Sequence, residues 1–476
     1  MPGFIFQTIF ERGMDMMRDV FDSLSPIDYR YWREDVAKYL SENARVRYCL
    51  YVEVALVQAL HRRGICAMQV WEEVEKACEQ ITTQEVYEEE ARIRHDIRAI
   101  VNCIQRKVSD ASKPYVHMTA TSYDIIDSAN AARYKDVMEL VVIPSLMDLE
   151  KALIAITLRE ADTLQIARTH GQHAVPVTFG FAIAEYVSRL GNCIQALTHV
   201  TAGLSGKFSG AVGAYNASSL FFDNPEDFEF EVLDSLDLDA AQYSTQIVPP
   251  EPLTRLLSEI VVTAGVLANV ADDMRHLQRT EIGEVGEGFG TDQVGSSTMP
   301  QKRNPITFEN AKSLWKVIMP RMITVFMDQL SEHQRDLTNS ASGRTYGEMF
   351  CYLVWTAERL TGAMQKLTVD RGNLDRNLAM QEGMIIAEPL SLILAALGHP
   401  YAHEKVRRLC VAARIQDRML AELIPSDPEL QPYMARMTPW QHRVLCNPHF
   451  YTGIAAKKAR SIAEQWRKEL RIEMAP

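Results

Sequence analysis

The segment from Leu253 to Leu277 (LTRLLSEIVVTAGVLANVADDMRHL) constrains the fold more than any other part of the chain. Its apolar residues occupy most faces of a helix, which is typical of a helix surrounded by other helices. We therefore predict a mainly α protein with five long central helices, because strand-like alternation is scarce elsewhere. The helical patterns that accompany this segment cover residues 45–62, 85–108, 122–157 with an interruption at Pro144, 181–204, 310–333 and 347–367.

Chain length and proline placement predict three domains behind a short extension. At 476 residues the chain exceeds one ordinary hydrophobic core. We predict an N-terminal extension at 1–26, a helical domain at 27–118, a central bundle at 119–371 and a C-terminal domain of shorter helices at 372–476. No run of about 18 apolar residues occurs, so we expect no membrane span. Charges interrupt the apolar N-terminal residues, unlike a signal peptide.

Charge and cysteine usage narrow the function classes. The net charge of -12 argues against general nucleic-acid binding, which needs a basic footprint. The eight cysteines are scattered without a CxxC pair, which predicts free thiols in a reducing compartment and no zinc site. An anionic small substrate remains compatible with this charge if a few arginines converge.

The glycine-rich stretch 283–309 (GEVGEGFGTDQVGSSTMPQKRNPITFE) combines backbone freedom with reactive side chains. A long loop inside a helical protein is usually a lid or a binding loop, so we predict a mobile catalytic loop. Ser296 lacks a Gly-x-Ser-x-Gly elbow and, by itself, is more typical of a solvated hydroxyl than of a catalytic one. Lys302 and Asn304 favour the catalytic interpretation, because a cation and an amide stabilise negative charge on a substrate carboxylate.

Three histidines are candidate acids or bases. His170 lies in a polar turn, Thr169-His170-Gly171-Gln172, and histidine titrates near neutral pH. An ordinary loop histidine is the alternative, and the same ambiguity holds for His95 and His117. His95 lies within the predicted helix 85–108, off its apolar stripe and without an acid one turn away. No HExxH spacing occurs, so we predict no metal site.

Two further segments indicate anion binding. Thr121, Ser122 and Asp124 are typical of a helix N-terminus, where free N–H groups favour anions. Arg335 and Arg344 flank a hydroxyl-rich run, RDLTNSASGR. Two arginines with interleaved hydroxyls could clamp a phosphate, or the segment could be a solvated, capped helix junction.

These motifs together resemble the fumarase/aspartase superfamily. GSSTMPQKRNP at 295–305 is similar to the superfamily signature GSSxMPxKxN, and HMTATSYDIIDSA, RTHGQ and GKFSGAVGAYNA resemble further blocks in the expected order. The resemblance spans roughly residues 27–470. Within the superfamily the chain is most similar to the adenylosuccinate lyase branch, through Arg30-Tyr31, Arg94-His95-Asp96, Ser244-Thr245-Gln246 and RDLTNSASGR.

The resemblance implies a three-domain, fumarase/aspartase-like fold in a homotetramer with a twenty-helix core. Each active site would combine residues from three subunits. The implied reaction is non-hydrolytic β-elimination of fumarate from adenylosuccinate, giving AMP, and from the succinylated aminoimidazole carboxamide ribotide of purine biosynthesis. It implies a cytoplasmic enzyme with a nucleotide substrate, no cofactor, no metal, and neither nucleic acid nor membrane as a partner.

The resemblance also implies residue roles. Ser296 would be the base, supported by Lys302 and Asn304; His170 would be the general acid, with His95 as its helper and Glu309 orienting it. Thr121, Ser122 and Gln246 would hold the succinyl and base portions of the substrate. The complete set of implied substrate-binding residues is Arg30, Tyr31, His117, Thr121, Ser122, Gln246, Ser297, Arg335, Ser340 and Arg344, with Arg30, Tyr31, Arg335, Ser340 and Arg344 forming the phosphate pocket.

Three positions depart from the superfamily pattern. His173 stands where many members have proline after His-Gly-Gln, Thr119 where glycine is common, and Gln301 where histidine or tyrosine is frequent. The alternatives are another enzyme of the superfamily, either a fumarate-releasing lyase of argininosuccinate or aspartase type or a carboxymuconate type enzyme, and a non-catalytic protein derived from a lyase.

Overall fold

The computed structural model describes residues 23–290, 294–334, 336–380 and 382–473. Most of the predicted N-terminal extension, 1–26, and Arg335 lie outside these ranges. The first described helices include α2, which buries Leu50, Val57 and Leu60. These helices are α1 Glu34–Leu40, α2 Glu42–Arg62, α3 Met68–Glu79, α4 Thr83–Ile93 and α5 Asp96–Lys107.

The central region confirms the prediction of a mainly α protein. Its helices are α6 Ser122–Val137, α7 Ile143–Arg159, α8 Phe179–Ala202, α9 Pro225–Asp234, α10 Glu251–Leu277, α11 Ile306–Ile318, α12 Arg321–Met327 and α13 Gly347–Gln365. A π-helical turn, Met138–Val142, joins α6 to α7 immediately before Pro144, where the sequence predicts an interruption.

Helix α10 is the central helix that its sequence predicts. It packs against α8, α11 and α13. Leu256, Leu257, Ile260, Leu267 and Ala271 are all completely buried. The helix is long and apolar enough to match a membrane span by length and composition, but the other bundle helices cover more than half of that window.

The predicted single helix over 85–108 is wrong. Arg94 adopts a left-handed backbone conformation (φ 58°), which ends α4, and His95 then caps α5. The prediction of the neighbours of the His95 side chain, which assumed one continuous helix, is therefore also wrong. Ile97, Ile100 and Ile104 remain buried, because the apolar stripe continues along α5.

The segment between the predicted helices 122–157 and 181–204, which contains the predicted turn at His170, is a β-hairpin. Strands β1 Leu164–Thr169 and β2 Gln172–Thr178 pair antiparallel, with a register shift between Ile166 and Arg168. His170 and Gly171 form the two-residue turn, and both have positive φ (55° and 71°). Positive φ at both central residues is typical of a type I′ turn. A prediction based on apolar periodicity missed the hairpin because its strands are short and mostly half-buried.

The predicted helix over 310–333 is also interrupted. Helix α11 begins at Ile306 and ends before Pro320, after which α12 runs only to Met327. Proline cannot donate the hydrogen bond that would continue α11. Two short strand pairs complete the core region: β3 Ser205–Gly206 beside β4 Asp239–Ala240, and β5 Val285–Gly286 beside β6 Thr368–Val369.

The C-terminal region has its own small apolar core, built around Leu390, Leu394, Leu420 and Leu430. Its last helix instead packs against α7 and α8. The predicted domain boundaries stay a prediction. All eight cysteines are free thiols, as predicted. The helices of this region are α14 Arg371–Ala379, α15 Glu382–Ile385, α16 Ala387–Ala396, α17 Ala402–Gln416, α18 Leu420–Leu423, α19 Gln431–Met434, α20 Pro439–Cys446 and α21 Ala455–Glu469.

Candidate active site

The segment that carries Ser296 folds into a tight turn. The Ser296 Oγ accepts hydrogen bonds from the backbone N–H groups of Met299 (3.1 Å) and Thr298 (3.4 Å). The Asn304 Nδ2 donates to the Gly295 carbonyl at 2.9 Å. A Cβ on Gly295 would lie 2.1 Å from the Lys302 carbonyl oxygen, so only glycine fits this close approach. Two backbone N–H groups are therefore directed at the hydroxyl oxygen, where they would stabilise negative charge.

The base of this segment is fixed by two buried or half-buried side chains. The Glu287 N–H donates to the Gln278 Oε1 (3.0 Å), while the Glu287 Oε1 accepts from the Phe308 N–H (2.9 Å). Gln278 Nε2 also donates to the Arg303 carbonyl (3.2 Å). Burial raises the pKa of the Glu287 carboxyl, despite its hydrogen bonds. The incoming and outgoing arms of the loop are thus joined below Ser296.

A cleft of about 1110 Å³ lies beside the turn and is lined by Lys302, Asn304 and Glu309, together with Arg275 and Arg279. Within the described ranges no hydrogen bond or ion pair engages the Lys302 or Arg279 side chain. Arg275, by contrast, is held by Asp272 (2.6 Å). Two cations without protein partners give this cleft the character of an anion site.

His170 lies at the exposed tip of the β1–β2 hairpin. Histidine is among the residues that tolerate its left-handed conformation. No polar contact of its side chain is present among the residues that the structure describes. The predicted orientation of His170 by Glu309 is therefore not a contact within this chain.

His117 is held by a carboxylate that sequence reasoning missed. Its Nδ1 lies 2.7 Å from the Glu53 Oε1 of α2, and its backbone N–H donates to the Glu53 Oε2 (3.1 Å). Burial disfavours the charged imidazole, but the Glu53 carboxylate outweighs it, so the pKa of His117 is raised. One signal was available: Glu53 is a charged residue on the buried side of α2.

A buried ion pair fixes the start of α6, where Thr121 and Ser122 lie. The Lys207 ammonium and the Asp124 carboxylate contact each other, and both side chains are completely buried. Asp124 also accepts hydrogen bonds from the N–H groups of Thr121 (2.8 Å) and Gly210 (3.2 Å). The pair links two segments that are far apart in sequence, which is why sequence reasoning did not find it.

His95 and Arg344 are connected by a chain of charged side chains. Arg344 lies 3.4 Å from Glu42, which lies 2.7 Å from Arg45, which lies 3.7 Å from Asp96. The His95 Nδ1 is 3.7 Å from the Asp96 carboxylate and accepts a hydrogen bond from the Arg98 N–H (3.3 Å). The predicted helper histidine and one predicted phosphate ligand are therefore linked through three intervening charged side chains.

The remaining predicted substrate residues line exposed or half-buried surfaces. The Tyr31 hydroxyl accepts from Asn310 (3.2 Å), and its ring packs edge-on against Tyr352 and Trp355. Gln246 is half-buried beside Thr245, whose hydroxyl donates to the Gln334 carbonyl (2.8 Å). The exposed residues of this set are Arg30, Ser297 and Ser340.

Two of the departures from the superfamily pattern have unusual environments. Thr119 has a φ of 71°, which is strained for a β-branched residue, and its buried Oγ1 has no hydrogen-bond partner among the described residues. The buried Nδ1 of His173 also lacks one. Desolvation and the nearby Arg168 lower the pKa of His173, so its imidazole is neutral near pH 7.

The predicted residues therefore occupy separate places in one chain. Ser296, Ser297, Lys302, Asn304 and Glu309 lie together. A second group surrounds the start of α6, a third links His95 to Arg344, and His170 stands apart at the hairpin tip. The cleft beside Lys302 is not lined by any of the three candidate histidines.

Comparisons with known proteins identify a lyase family. The family described as "Lyase" matches residues 10–319, and "Adenylosuccinate lyase C-terminal" matches residues 331–441. An adenylosuccinate lyase of Pyrococcus abyssi is 35% identical over 87% of this chain and 92% of its own length. An N-acetyl-S-(2-succino)cysteine lyase of Enterococcus italicus is 27% identical over 90% of this chain and 93% of its own length. The fold matches a 3-carboxy-cis,cis-muconate lactonizing enzyme of Pseudomonas putida with a TM-score of 0.81 at 24% identity, over 93% of this chain and 99% of that one.

Proposed function

The chain belongs to the adenylosuccinate lyase family, and we propose that it releases fumarate from adenylosuccinate by β-elimination, giving AMP. The observation that carries this proposal is the turn at Ser296, where two backbone N–H groups face a hydroxyl oxygen next to a cleft with unpaired cations. The elimination needs a base for a weakly acidic proton and positive charge for the resulting anion, and this turn offers both.

Ser296 is the proposed base. The Ser296 hydroxyl first loses its own proton to solvent, and the resulting alkoxide Oγ takes the proton from the carbon next to a succinyl carboxylate. The electron pair of that C–H bond becomes the new C=C bond as the C–N bond breaks. Negative charge develops on the carboxylate, where Lys302 supplies a cation. Asn304 uses one Nδ2–H to hold Gly295, which leaves the second for the substrate. Closure of the loop would exclude water and strengthen these interactions.

His170 is the proposed general acid. It donates a proton to the departing purine nitrogen as the C–N bond breaks, so each turnover moves one proton to Ser296 and one from His170. Imidazole suits this role because it titrates near neutral pH. His95 is its proposed helper. Neither step requires a cofactor or metal ion.

We infer that the site is shared between copies of the chain in a homotetramer. The separation of His170 from the Ser296 turn supports this, because a single chain leaves the proposed acid and base apart. Exposed apolar side chains on and beside α12 also favour a partner surface. These are Met319, Ile323, Phe326, Met327 and Leu330.

The phosphate of the nucleotide is proposed to lie near Arg344, because this arginine is exposed and a series of charged contacts links it to His95. Arg30, Tyr31 and Ser340 complete the described part of this proposed pocket, and Arg335 lies outside the described residues. The succinylated aminoimidazole carboxamide ribotide shares the phosphate and succinyl groups, so we propose it as a second substrate. A cytoplasmic location accords with both nucleotides.

Fumarate release, followed by ultraviolet absorbance, tests the proposal directly. The purified protein is offered adenylosuccinate, the succinylated ribotide, argininosuccinate, aspartate and N-acetyl-S-(2-succino)cysteine at equal concentrations. We expect the two nucleotides to be cleaved with the highest kcat/KM. A preference for any of the other three would overturn the nucleotide assignment, and release from none would overturn the reaction.

The Arg344→Ala variant tests the phosphate pocket. Loss of a charged hydrogen bond is expected to weaken nucleotide binding by about 1–3 kcal/mol, which raises KM while kcat changes less. Arg418→Ala is the control, since among the described residues the Arg418 side chain pairs only with Glu422, on the C-terminal surface. An unchanged KM in Arg344→Ala would remove this residue from the pocket.

A further inference from the structure

One buried carboxylate joins the hairpin that carries His170 to the segment that carries Ser296. Glu284 is 0% exposed, and four hydrogen bonds reach its two oxygens. Arg168 donates from Nη2 to Oε1 (2.5 Å) and from Nη1 to Oε2 (3.1 Å). Gln165 Nε2 donates to Oε2 (2.8 Å), and Asn377 Nδ2 donates to Oε1 (2.8 Å).

The partners of Glu284 come from two different elements. Gln165 and Arg168 belong to β1, and Arg168 is two residues from the turn at His170. Asn377 belongs to α14. The Arg168 guanidinium is itself mostly buried, so its forked contact with Glu284 is shielded from water.

Helix α14 also holds the backbone just before Glu284. Asn373 donates to the Gly283 carbonyl (2.9 Å), and Arg376 donates to the Ile282 carbonyl (2.8 Å). The backbone N–H of Glu284 bonds to the Leu277 carbonyl at the end of α10 (3.0 Å). The first residues of the loop are therefore fixed, whereas the turn at Ser296 contacts mainly its own backbone.

We call the contacts of Glu284 with Gln165, Arg168 and Asn377 the clamp. Further contacts connect the clamp through the base of the loop to the Ser296 turn. Three residues after Glu284, Glu287 bonds to Gln278 and Phe308, and Gln278 bonds to Arg303. A displacement at Glu284 would pass through these contacts to both arms of the loop. The same displacement would release Arg168 and, with it, the hairpin strand.

We propose that Glu284 is a positioning residue that sets His170 and Ser296 by one shared contact. It touches neither substrate nor reacting atoms; it holds the hairpin, α14 and the loop base in a single arrangement. The roles of His170 and Ser296 as acid and base rest on the proposed function. If they serve different active sites of a tetramer, Glu284 connects two sites through one chain.

The test compares Glu284→Gln with a matched control, Glu160→Gln. Glu160 is also a buried carboxylate with an arginine from α14: it accepts from Thr163 (2.6 Å) and from Arg371 (3.1 Å). It joins α7 to α14 without a polar contact to the His170 turn or the Ser296 loop among the described residues. Both variants keep side-chain shape and remove one charge.

Three measurements are made on each tetrameric variant: Tm, kcat with KM, and amide hydrogen exchange in peptides covering 164–178 and 294–304. For Glu284→Gln we expect kcat to fall about 10–100-fold with a smaller change in KM, and faster exchange in both segments. For Glu160→Gln we expect a lower Tm, kcat within about threefold, and unchanged exchange at 294–304.

Arg168→Lys replaces Glu284→Gln if that variant fails to fold. It keeps the positive charge but loses the forked geometry, so we expect the same changes at smaller size. The clamp is refuted if kcat in the folded variant falls no further than in Glu160→Gln, or if exchange rises in only one segment. Absence of fumarate release by the unmodified protein would refute the proposed function instead, and the exchange data would still decide the clamp.

Discussion

Two glycine-bearing segments of this protein, residues 206–217 and residues 294–304, both combine glycine with serine and lysine in sequence but differ in structure. Residues 206–210 of the first are all buried, and Lys207 is 0% exposed in its ion pair with Asp124. Ser209 and Ser244 hydroxyls lie 2.6 Å apart. In the second, residues 294–304, Val294 is 74% exposed and Lys302 has no polar side-chain partner among the described residues.

The difference does not come from the glycines. A Cβ on Gly213 in the first segment would lie 2.1 Å from the Ser244 carbonyl oxygen, and a Cβ on Gly295 in the second would lie 2.1 Å from that of Lys302. Glycine allows a close approach in both. The two segments differ in burial and in their long-range polar contacts. The first segment is hydrogen-bonded to α6 and α9, whereas the Ser296 turn is hydrogen-bonded mainly to its own residues. Glycine content alone therefore predicts neither mobility nor catalysis.

The largest expected effect concerns the open segment. Ser296→Ala removes the proposed base and is expected to lower kcat by about 10³-fold or more, with Tm unchanged. Thr298→Ala is the matched control, since Thr298 lies in the same exposed turn at a variable position of the signature. Its kcat should stay within about threefold. A near-normal rate for Ser296→Ala would refute its role, measured as fumarate release under saturating substrate.

The next effect concerns the buried segment. Lys207→Met leaves Asp124 as an uncompensated buried charge and is expected to destabilise the protein by about 3–5 kcal/mol. Lys302→Met, in the open segment, should change stability by less than about 0.5 kcal/mol while lowering turnover. Chemical denaturation at one fixed protein concentration measures both. Equal stability losses in the two variants would contradict the contrast between the segments.

A buried carboxyl group outside both segments gives a further test of how burial affects an ionisable side chain. Glu150 on α7 is 0% exposed, and neither carboxylate oxygen has a hydrogen-bond partner among the described residues. Burial raises its pKa to about 9. The folded protein thus keeps a proton that the unfolded chain loses above its normal pKa, so this group lowers stability as pH rises from about 4.5 to about 9.

Glu150→Gln is expected to remove that pH dependence. The amide stays neutral, so the variant should lie within about 1 kcal/mol of the unmodified protein near pH 5. Near pH 8 its advantage should have grown by roughly 4 kcal/mol, since each pH unit between the two pKa values is worth about 1.4 kcal/mol. Tm measured at both pH values checks this. Glu464→Gln, at a partly exposed position of α21, is the control and should show no gain at pH 8. An equal difference at both pH values would show that Glu150 is not protonated in the folded state.

The sequence predicted those features that depend on neighbouring residues. The bundle helix α10 was predicted within two residues of its bounds because its apolar pattern is nearly continuous. The sequence also predicted that Lys302 and Asn304 lie close together, because they are only two residues apart. The positive φ of Arg94 was missed, since arginine gives no local signal for a left-handed residue, and the prediction of one helix over 85–108 failed there.

The long-range contacts were beyond prediction from one sequence. Glu53 and His117, Asp124 and Lys207, and Arg168 and Glu284 each join segments that only the folded chain brings together. The confirmed fold class came from motifs and helical periodicity. The roles of the site residues remain predictions, which the substitutions described above test.

Mixing two inactive variants tests most directly whether the active site is shared. The proposed tetramers of Ser296→Ala and of His170→Ala are dissociated together, reassembled at equal amounts, and assayed for fumarate release. If the base and the acid of each site come from different chains, about one quarter of the sites in randomly mixed tetramers contain both intact residues. We therefore predict recovery of about one quarter of the unmodified activity. No recovery in tetramers shown to contain both variants would contradict the shared site.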